Sequence, residues 1–407
     1  MKKNAALITV FLAVLIDLMG FGIVLPLLPF YASEFNASAV TIGLLYSIYS
    51  FAQLVFSPFW GGLSDRIGRR PVMLISTLGA CVAYTMFGLA HSLAILFLSR
   101  LIAGIMGGNI STAQAYVADV TTPEDRAKGM GLIGAAFGIG FLFGPAIASL
   151  LIHPAFMNFL HIADHNRFAV PGFFAALMSL ISFLLVLFKL PETVNTAQAA
   201  NGGKIQKMSI FTKKFWLFVF EDKGSKAPHF FPILIGCMLL SSFGQSSLYS
   251  SFPLFCESNF GISAEKVGLM FAFMGLIGVL VQGGLIRVLL RKFSEEQLFL
   301  TGTILMTAGF LLIPAAHAKN MLFLFMTLMA FGWSLIIPTL SSLISKESDP
   351  AQVGATMGIS QGMASLGRVI GPTWGGLLYG MAHRLPFAAT GLVLSLMIWV
   401  GIKLRPR

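Results

Sequence analysis

The chain has 407 residues and a formal charge of +11, yet it is 56% hydrophobic and only 11% charged, with a mean hydropathy of +0.84. A soluble domain carries about 25% charged and about 45–50% apolar residues, so apolar surface in this excess has to face lipid. The basic residues fall in short gaps between apolar stretches, with neither a single patch nor aromatic interleaving, which excludes a nucleic-acid groove as their purpose.

A spanning helix needs about 20 apolar residues. The first such stretch, residues 5–31, follows Lys2 and Lys3, is too long for a signal-peptide core and has no suitably placed small-residue cleavage site. It is expected to remain as a helix, with its N-terminus in the cytoplasm. Charge, proline and polar clusters divide the remaining apolar sequence into spans at 39–62, 71–90, 93–118, 129–152 and 168–190. Further spans follow at 229–252, 267–288, 297–316, 321–342, 354–380 and 386–404. The segment 191–228 is the one long soluble connection. Its stretch 211–220 (FTKKFWLFVF) either lies along the inner membrane surface, lysines toward anionic headgroups, or serves as a tether. The chain therefore reads as an all-α integral membrane protein of twelve transmembrane helices. Residues 1–190 form one six-helix bundle, 191–228 a cytoplasmic linker and 229–407 a second six-helix bundle.

Positive charge fixes the orientation. With both termini cytoplasmic, the inside segments, tails and inner helix ends hold 21 Lys and Arg residues, the outside loops four (Arg167, Lys266, Lys319, Arg384), and two, Arg100 and Arg368, fall deep within spans. All histidines except His229 fall in outside loops or at outer helix ends and read as polar loop residues. Cys81, Cys237 and Cys256 have no ligand spacing and read as packing residues, with no metal site.

An internal repeat crosses the linker. Pro123, Met130, Gly131, Gly144 and Pro145 recur 227 residues later as Pro350, Met357, Gly358, Gly371 and Pro372. Gly61, Gly62 and Leu63 recur as Gly283, Gly284 and Leu285, a shift of 222, and Pro29, Phe35 and Gly43 recur as Pro253, Phe260 and Gly268, shifted by 224 or 225. With six helices per half, the halves are parallel repeats about an axis along the membrane normal.

Residues 61–70 read GGLSDRIGRR between two spans. Glycines Gly61 and Gly68 let helix ends approach closely. Asp65 is expected to accept hydrogen bonds from a neighbouring helix N-terminus, while Arg66, Arg69 and Arg70 stay at the cytoplasmic boundary. This loop resembles the signature G-x-L-x-D-R-x-G-R-R of the major facilitator superfamily at every fixed position. The first span carries DLMGFGIVLPLLP (17–29), the fourth carries Arg100 followed by Gly104 and Gly108, and residues 118–126 read ADVTTPEDR, with Asp119 and Arg126. The fifth span carries Gly140, Gly144 and Pro145, with Ala148 and Ser149 where a Gly-Gly pair is usual. The eleventh keeps the fuller version in Gly367, Gly371, Pro372, Gly375 and Gly376. Together these resemble the twelve-helix drug/proton antiporters, including tetracycline efflux proteins, over essentially the whole chain. The resemblance implies a bacterial inner (plasma) membrane setting and a monomer. It also implies a loop that locks the two halves together on the cytoplasmic side, with Asp119 and Arg126 cooperating.

An ionisable group at lipid depth costs at least about 2.5–3.5 kcal/mol, so a role in function is the default expectation. Asp17 is the only carboxylate near the middle of a span, roughly 18 Å from the inner end of its helix. Low-dielectric burial without a balancing cation favours the neutral carboxyl, which suits a group that loads and releases protons. Arg100 stands about 10 Å above Asp17 in depth and is a candidate partner either for Asp17 or for Glu34 near the outer mouth. Arg368 lies near the depth of Asp17 and is either a counter-charge or a site for an anionic substrate group. Gln53, Asn109, Gln114, Gln245, Gln282, Trp333 and Gln361 are candidates for a cavity wall, or for hydrogen bonds between helices. The expected activity is proton-coupled efflux of a small amphipathic or hydrophobic compound by alternating access. The substrate, protons and the bilayer are then the partners, and the proton gradient, not a cofactor, supplies the energy. The alternatives are a facilitator or proton symporter of a sugar, organic acid or other metabolite, and a membrane receptor that has lost transport. No nucleophile constellation appears in the spans and no phosphate loop ends in Lys-Ser/Thr, so neither an enzyme nor an ATP-driven pump is expected.

Overall fold

The computed structural model describes residues 2–121, 126–163, 166–193, 231–347 and 353–404, with 2–5, 126–131 and 353–355 described by their backbone alone. The 211–220 stretch and Pro123 and Pro350 of the repeat lie outside the described residues. Among the described residues the first half contributes α1 (Lys2–Glu34), α2 (Ala39–Ile67), α3 (Arg69–Gly88), α4 (Leu93–Val120), α5 (Arg126–Leu151) and α6 (Ala169–Lys189). The second contributes α7 (Phe231–Phe260), α8 (Ala264–Leu289), α9 (Glu295–Ala315), α10 (Lys319–Lys346), α11 (Val353–Met381) and α12 (Leu385–Lys403). All but α11 combine the length and apolarity needed to cross a bilayer; α11 is equally long but interrupted by Ser360, Gln361, Ser365, Arg368 and glycines. Helices satisfy every backbone group internally, which hydrocarbon requires. Large apolar side chains such as Phe59, Phe188, Leu392 and Trp399 stay exposed, as lipid contact demands. This is an all-α integral membrane protein of twelve helices in two six-helix bundles.

The expected loop at 61–70 is almost absent. α2 runs on to Ile67 and α3 begins at Arg69, so Gly68 alone joins them, at φ 105. Only glycine adopts that backbone without strain. The reason is local: Arg69 and Arg70 are engaged by partners that let both helices continue. Two other departures lie inside spans. α4 tightens into a 3-10 turn at Gly107–Asn109, and α8 widens into a π-helical turn at Val281–Leu285. Such irregular turns commonly mark hinges or functional positions. The repeat reaches the backbone as well: α1 and α7 both end before a left-handed residue, Asn36 (φ 56) and Gly261 (φ 59), again 225 apart (261 − 36).

The described chain forms two compact units. Unit 1 comprises Met1–Ala37, Ile48–Ile205 and Ile262–Gly275, and unit 2 comprises Ser38–Ser47, Gln206–Gly261 and Leu276–Arg407. Each unit is thus mainly one half of the sequence plus a short helical segment of the other. In unit 1 the apolar core joins five helices, through Val10 and Val14 (α1), Met73 (α3), Tyr116 and Val117 (α4), Ile133 and Ala136 (α5) and Val186 (α6). The guest segment is fixed by Ser149 Oγ donating to the Glu265 carbonyl at 2.8 Å, with His153 Nε2 3.6 Å from the Glu265 carboxylate. In unit 2, serines of α7 take the place of a purely apolar seam. Ser246 donates to the Gly367 carbonyl at 3.2 Å and Ser250 to that of Pro372 at 2.8 Å. The guest segment of unit 2 ends on Ser47, which donates to the Val369 carbonyl at 2.6 Å and meets Thr373 Oγ1 at 2.8 Å.

Candidate functional site

The 3-10 turn of α4 has a specific consequence: it presents Asn109, which is 2% exposed, to α1. Asn109 Nδ2 donates to Asp17 Oδ2 at 2.6 Å. Asp17 keeps part of its surface accessible, while its Oδ1 is buried without a hydrogen-bond partner. No ion pair reaches Asp17 among the described residues. A carboxyl group held by one neutral donor, with its second oxygen unpartnered, can take up and release a proton without breaking a fixed salt bridge. The second oxygen of the pair, Asn109 Oδ1, is buried and unpartnered too.

Arg100 is 2% exposed and packs its guanidinium against two rings of α3, 4.9 Å from the centroid of Phe87 and 5.7 Å from that of Tyr84. Cation–π attraction of this kind strengthens when desolvated, which helps hold a charge at lipid depth. Glu34 takes Arg167 as an ion-pair partner at 3.4 Å. The structure thus gives Glu34 a surface arginine near the chain turn and places Arg100 among aromatic rings.

At the opposite end of unit 1 the signature residues converge. Arg69 is buried: its Nη1 donates to Asp65 Oδ1 at 2.5 Å and to Ser64 Oγ at 2.7 Å, and its Nε to Asp119 Oδ2 at 2.9 Å. The amides that open α3 are taken by Glu192, whose carboxylate accepts from Arg69 N at 2.9 Å and Arg70 N at 3.1 Å. A carboxylate at a helix N-terminus meets both its unpaired N–H groups and its positive dipole end. Arg70 reciprocates by donating to the Leu187 carbonyl at 2.6 Å, so α3 and the end of α6 cap one another. Arg69 is the buried centre of the cluster. Arg66 remains exposed, and the side chain of Arg126 lies outside the described residues. Glu192 and Thr193, which donates to Asp119 at 3.1 Å, escape a motif search because they stand at the edge of the polar linker, far in sequence from residues 61–70.

Arg69→Ala is therefore expected to leave Asp65 and Asp119 facing each other without their shared cation. Both acids are about a third exposed (39% and 31%), so solvent moderates the cost to about 1–3 kcal/mol. The check is a lowered melting temperature of the detergent-solubilised protein, with Arg69→Lys recovering only part, since lysine lacks the fork that spans two carboxylates.

The other predicted cavity residues divide. Gln53 donates to the Gly107 carbonyl at 3.0 Å and so steadies the 3-10 turn, while Gln114, Gln282 and Gln361 are exposed. In unit 2, Gln245 Nε2 lies 3.5 Å from Tyr249 Oη, and Arg368 donates to Ser365 Oγ at 2.7 Å. Gln245 Oε1 and Trp333 Nε1 are buried without hydrogen-bond partners. The two antiporter-type motifs are backbone contacts. Around Gly140, Gly144 and Pro145 the partner is Gly22 of α1, and around Gly371 and Pro372 it is α7.

Comparison with known proteins places this geometry. The sequence pattern of the Major Facilitator Superfamily matches residues 10–372 and 234–407. The chain is 30% identical to the class B tetracycline resistance protein of Escherichia coli over 91% of its length and 87% of the relative's. It is also 30% identical to multidrug resistance protein 1 of Bacillus subtilis (strain 168), over 98% and 96% respectively. Among solved structures, the human organic anion transporter MFSD10 (TETRAN) superposes with a TM-score of 0.71 at 26% identity, covering 98% of this chain and 99% of that one. With twelve helices in two repeated bundles and the signature residues gathered around Arg69, the chain belongs to the Major Facilitator Superfamily of membrane transporters.

Proposed function

We propose that this transporter exports small amphipathic or hydrophobic compounds in exchange for protons, by alternating access. The observation that carries the reading is Asp17, a part-buried intramembrane carboxyl held by one neutral hydrogen bond from Asn109 and by no salt bridge among the described residues. Protonation of Asp17 and occupation by substrate then compete, so a proton entering drives a substrate out. The similarity to tetracycline and multidrug resistance proteins supports export of such compounds. In this reading the protein works in a bacterial inner membrane with both termini cytoplasmic, as a monomer, and draws on the proton gradient without a bound cofactor or metal. The cluster around Arg69 lies on the cytoplasmic side in this reading and rearranges once per cycle.

The test is flux in reconstituted vesicles with tetracycline as probe and protein-free vesicles as the baseline. Antiport predicts accumulation above baseline when the lumen is acid, because protons leave as tetracycline enters. Symport predicts accumulation only when the outside is acid, and a receptor predicts neither; either result would overturn the proposal. A second reading concerns the substrate. Arg368, with Tyr249 and Gln245 in unit 2, suits a substrate bearing an acidic group, in line with the organic anion transporter among the solved relatives. Under that reading Arg368→Gln lowers uptake of acidic compounds and spares neutral ones.

A further inference from the structure

Tyr84 of α3 stands outside every motif in the sequence, yet it is 4% exposed and lies within reach of both intramembrane charges of unit 1. The Arg100 guanidinium sits over its ring, 5.7 Å from the centroid. Its hydroxyl reaches α1 at Gly20, where an added Cβ would come within 2.7 Å of Oη, 2.8 Å of Cζ and 2.9 Å of Cε2. Gly20 is three residues from Asp17, on the same face of the helix. By lacking a side chain, this glycine of the acid-bearing motif opens the space through which Tyr84 approaches the Asp17 face.

We propose that the Tyr84 hydroxyl links Arg100 to Asp17, making Tyr84 a positioning residue of the proton site. The inference rests on Asp17 being the proton carrier. Arg100 is held among aromatic rings and acts on the carboxyl through the phenol dipole. A phenol suits this because it donates to a carboxylate and accepts from a carboxylic acid by rotating one O–H bond. The Asn109 amide nitrogen can only donate. The unpartnered Asp17 Oδ1 leaves a position for that hydroxyl in either protonation state, with the ring held by Arg100 on one side and against Gly20 on the other. Around this face the ionisable groups are Asp17 on α1, Tyr49 on α2, Tyr84 on α3 and Arg100 on α4. Residues 131–151 of α5 carry no ionisable side chain, and α6 carries only Lys189 in its last position.

The experiment titrates the infrared carbonyl band of protonated Asp17 in the purified full chain, identified as the band that Asp17→Asn removes. Arg100→Gln is expected to move its midpoint by about one pH unit. In the Tyr84→Phe background, which keeps the ring and its cation–π contact, the same Arg100→Gln change is expected to move it several-fold less. Gly20→Ala, which pushes the phenol away, should reproduce the loss of coupling without touching either charge. Additive shifts in the double variant, or an Arg100 effect unaltered by Gly20→Ala, would show that Tyr84 only fills space. A wild-type band that never titrates would instead remove Asp17 as the proton carrier, a separate failure. If Arg100→Gln does not fold, Arg100→Lys, which moves the charge off the ring, supplies the same cycle.

Discussion

Asp17→Asn is expected to reduce gradient-driven efflux to the level of protein-free vesicles while leaving a folded, membrane-inserted protein. The substitution keeps the shape of the side chain, and its amide oxygen can still accept from Asn109 Nδ2, the contact that measures 2.6 Å with the carboxyl. With no salt bridge to break among the described residues, the fall in melting temperature should correspond to no more than about 1 kcal/mol. What the amide loses is the ability to exchange a proton. Exchange of labelled against unlabelled substrate, which needs no net proton movement, is expected to persist. The informative measurement is thus the ratio of gradient-driven uptake to exchange. A fixed structural role for Asp17 would lower both and melt the protein early. Undiminished proton-driven uptake would remove Asp17 from the coupling mechanism.

Asp17 could be found from the sequence because a charge at lipid depth is conspicuous, and the same holds for Arg100 and Arg368. Helix number, order and repeat were legible for a related reason. The bilayer sets a length of apolar sequence, and glycine and proline at matching offsets survive in both halves. What periodicity cannot reveal is which neutral side chain a helix irregularity will aim inward. Asn109 was one of seven polar candidates, and only the 3-10 turn at Gly107–Asn109 separates it from exposed Gln114 five residues on. Glu192 was invisible for a different reason: a cap at the start of α3 is a tertiary contact with the end of α6, more than a hundred residues away. Arg69 looked like one more boundary arginine because composition does not distinguish a solvated guanidinium from one held by two carboxylates and a serine.

In the second half the loop motif is degraded to GGLIRVLLRK at 283–292, with no aspartate, and this has a physical account. Asp119 of α4 corresponds, at the 227-residue offset, to Lys346 at the end of α10 (346 − 227 = 119). Lys346 pairs with Glu295 at 2.9 Å, and Glu295 also accepts from Ser342 at 2.9 Å. Glu295 opens α9, where Ser294 and Gln297 form a capping box. Each unit therefore ties a helix start to a neighbouring helix end with an ion pair, but the signs are exchanged. In unit 1 the cation is buried and the acids are partly exposed; in unit 2 the lysine is 62% exposed, so its pair is screened and weak. A strong tie in one unit and a weak one in the other accounts for a loop motif that is complete in the first half and degraded in the second.

Gly144→Ala is the substitution expected to cost the most stability for the fewest atoms. α1 and α5 meet backbone to backbone. A Cβ on Gly144 would stand 2.7 Å from Gly22 Cα, 2.8 Å from Gly22 C and 2.9 Å from the Met19 carbonyl oxygen, and none of these can move without moving α1. Overpacking of this kind costs about 1–3 kcal/mol where side chains can yield, and the upper end or beyond applies where only backbone is available. Gly134, earlier on the same helix, has nothing within 4 Å of its Cβ position. There alanine is expected to be neutral, or stabilising by up to about 1 kcal/mol through helix propensity. Melting temperatures and monodisperse yield in detergent compare the two on one helix, with Gly144→Leu expected to abolish folding. The seam also decides what the motif is for. Met19 and Gly22 follow Asp17 on α1, so any separation of α5 from α1 moves the helix that carries the proton site. If Gly144→Ala lowers stability but still transports at an unchanged proton-to-substrate ratio, the glycines serve packing alone. A changed ratio in the folded fraction would make the α1–α5 seam part of the coupling itself.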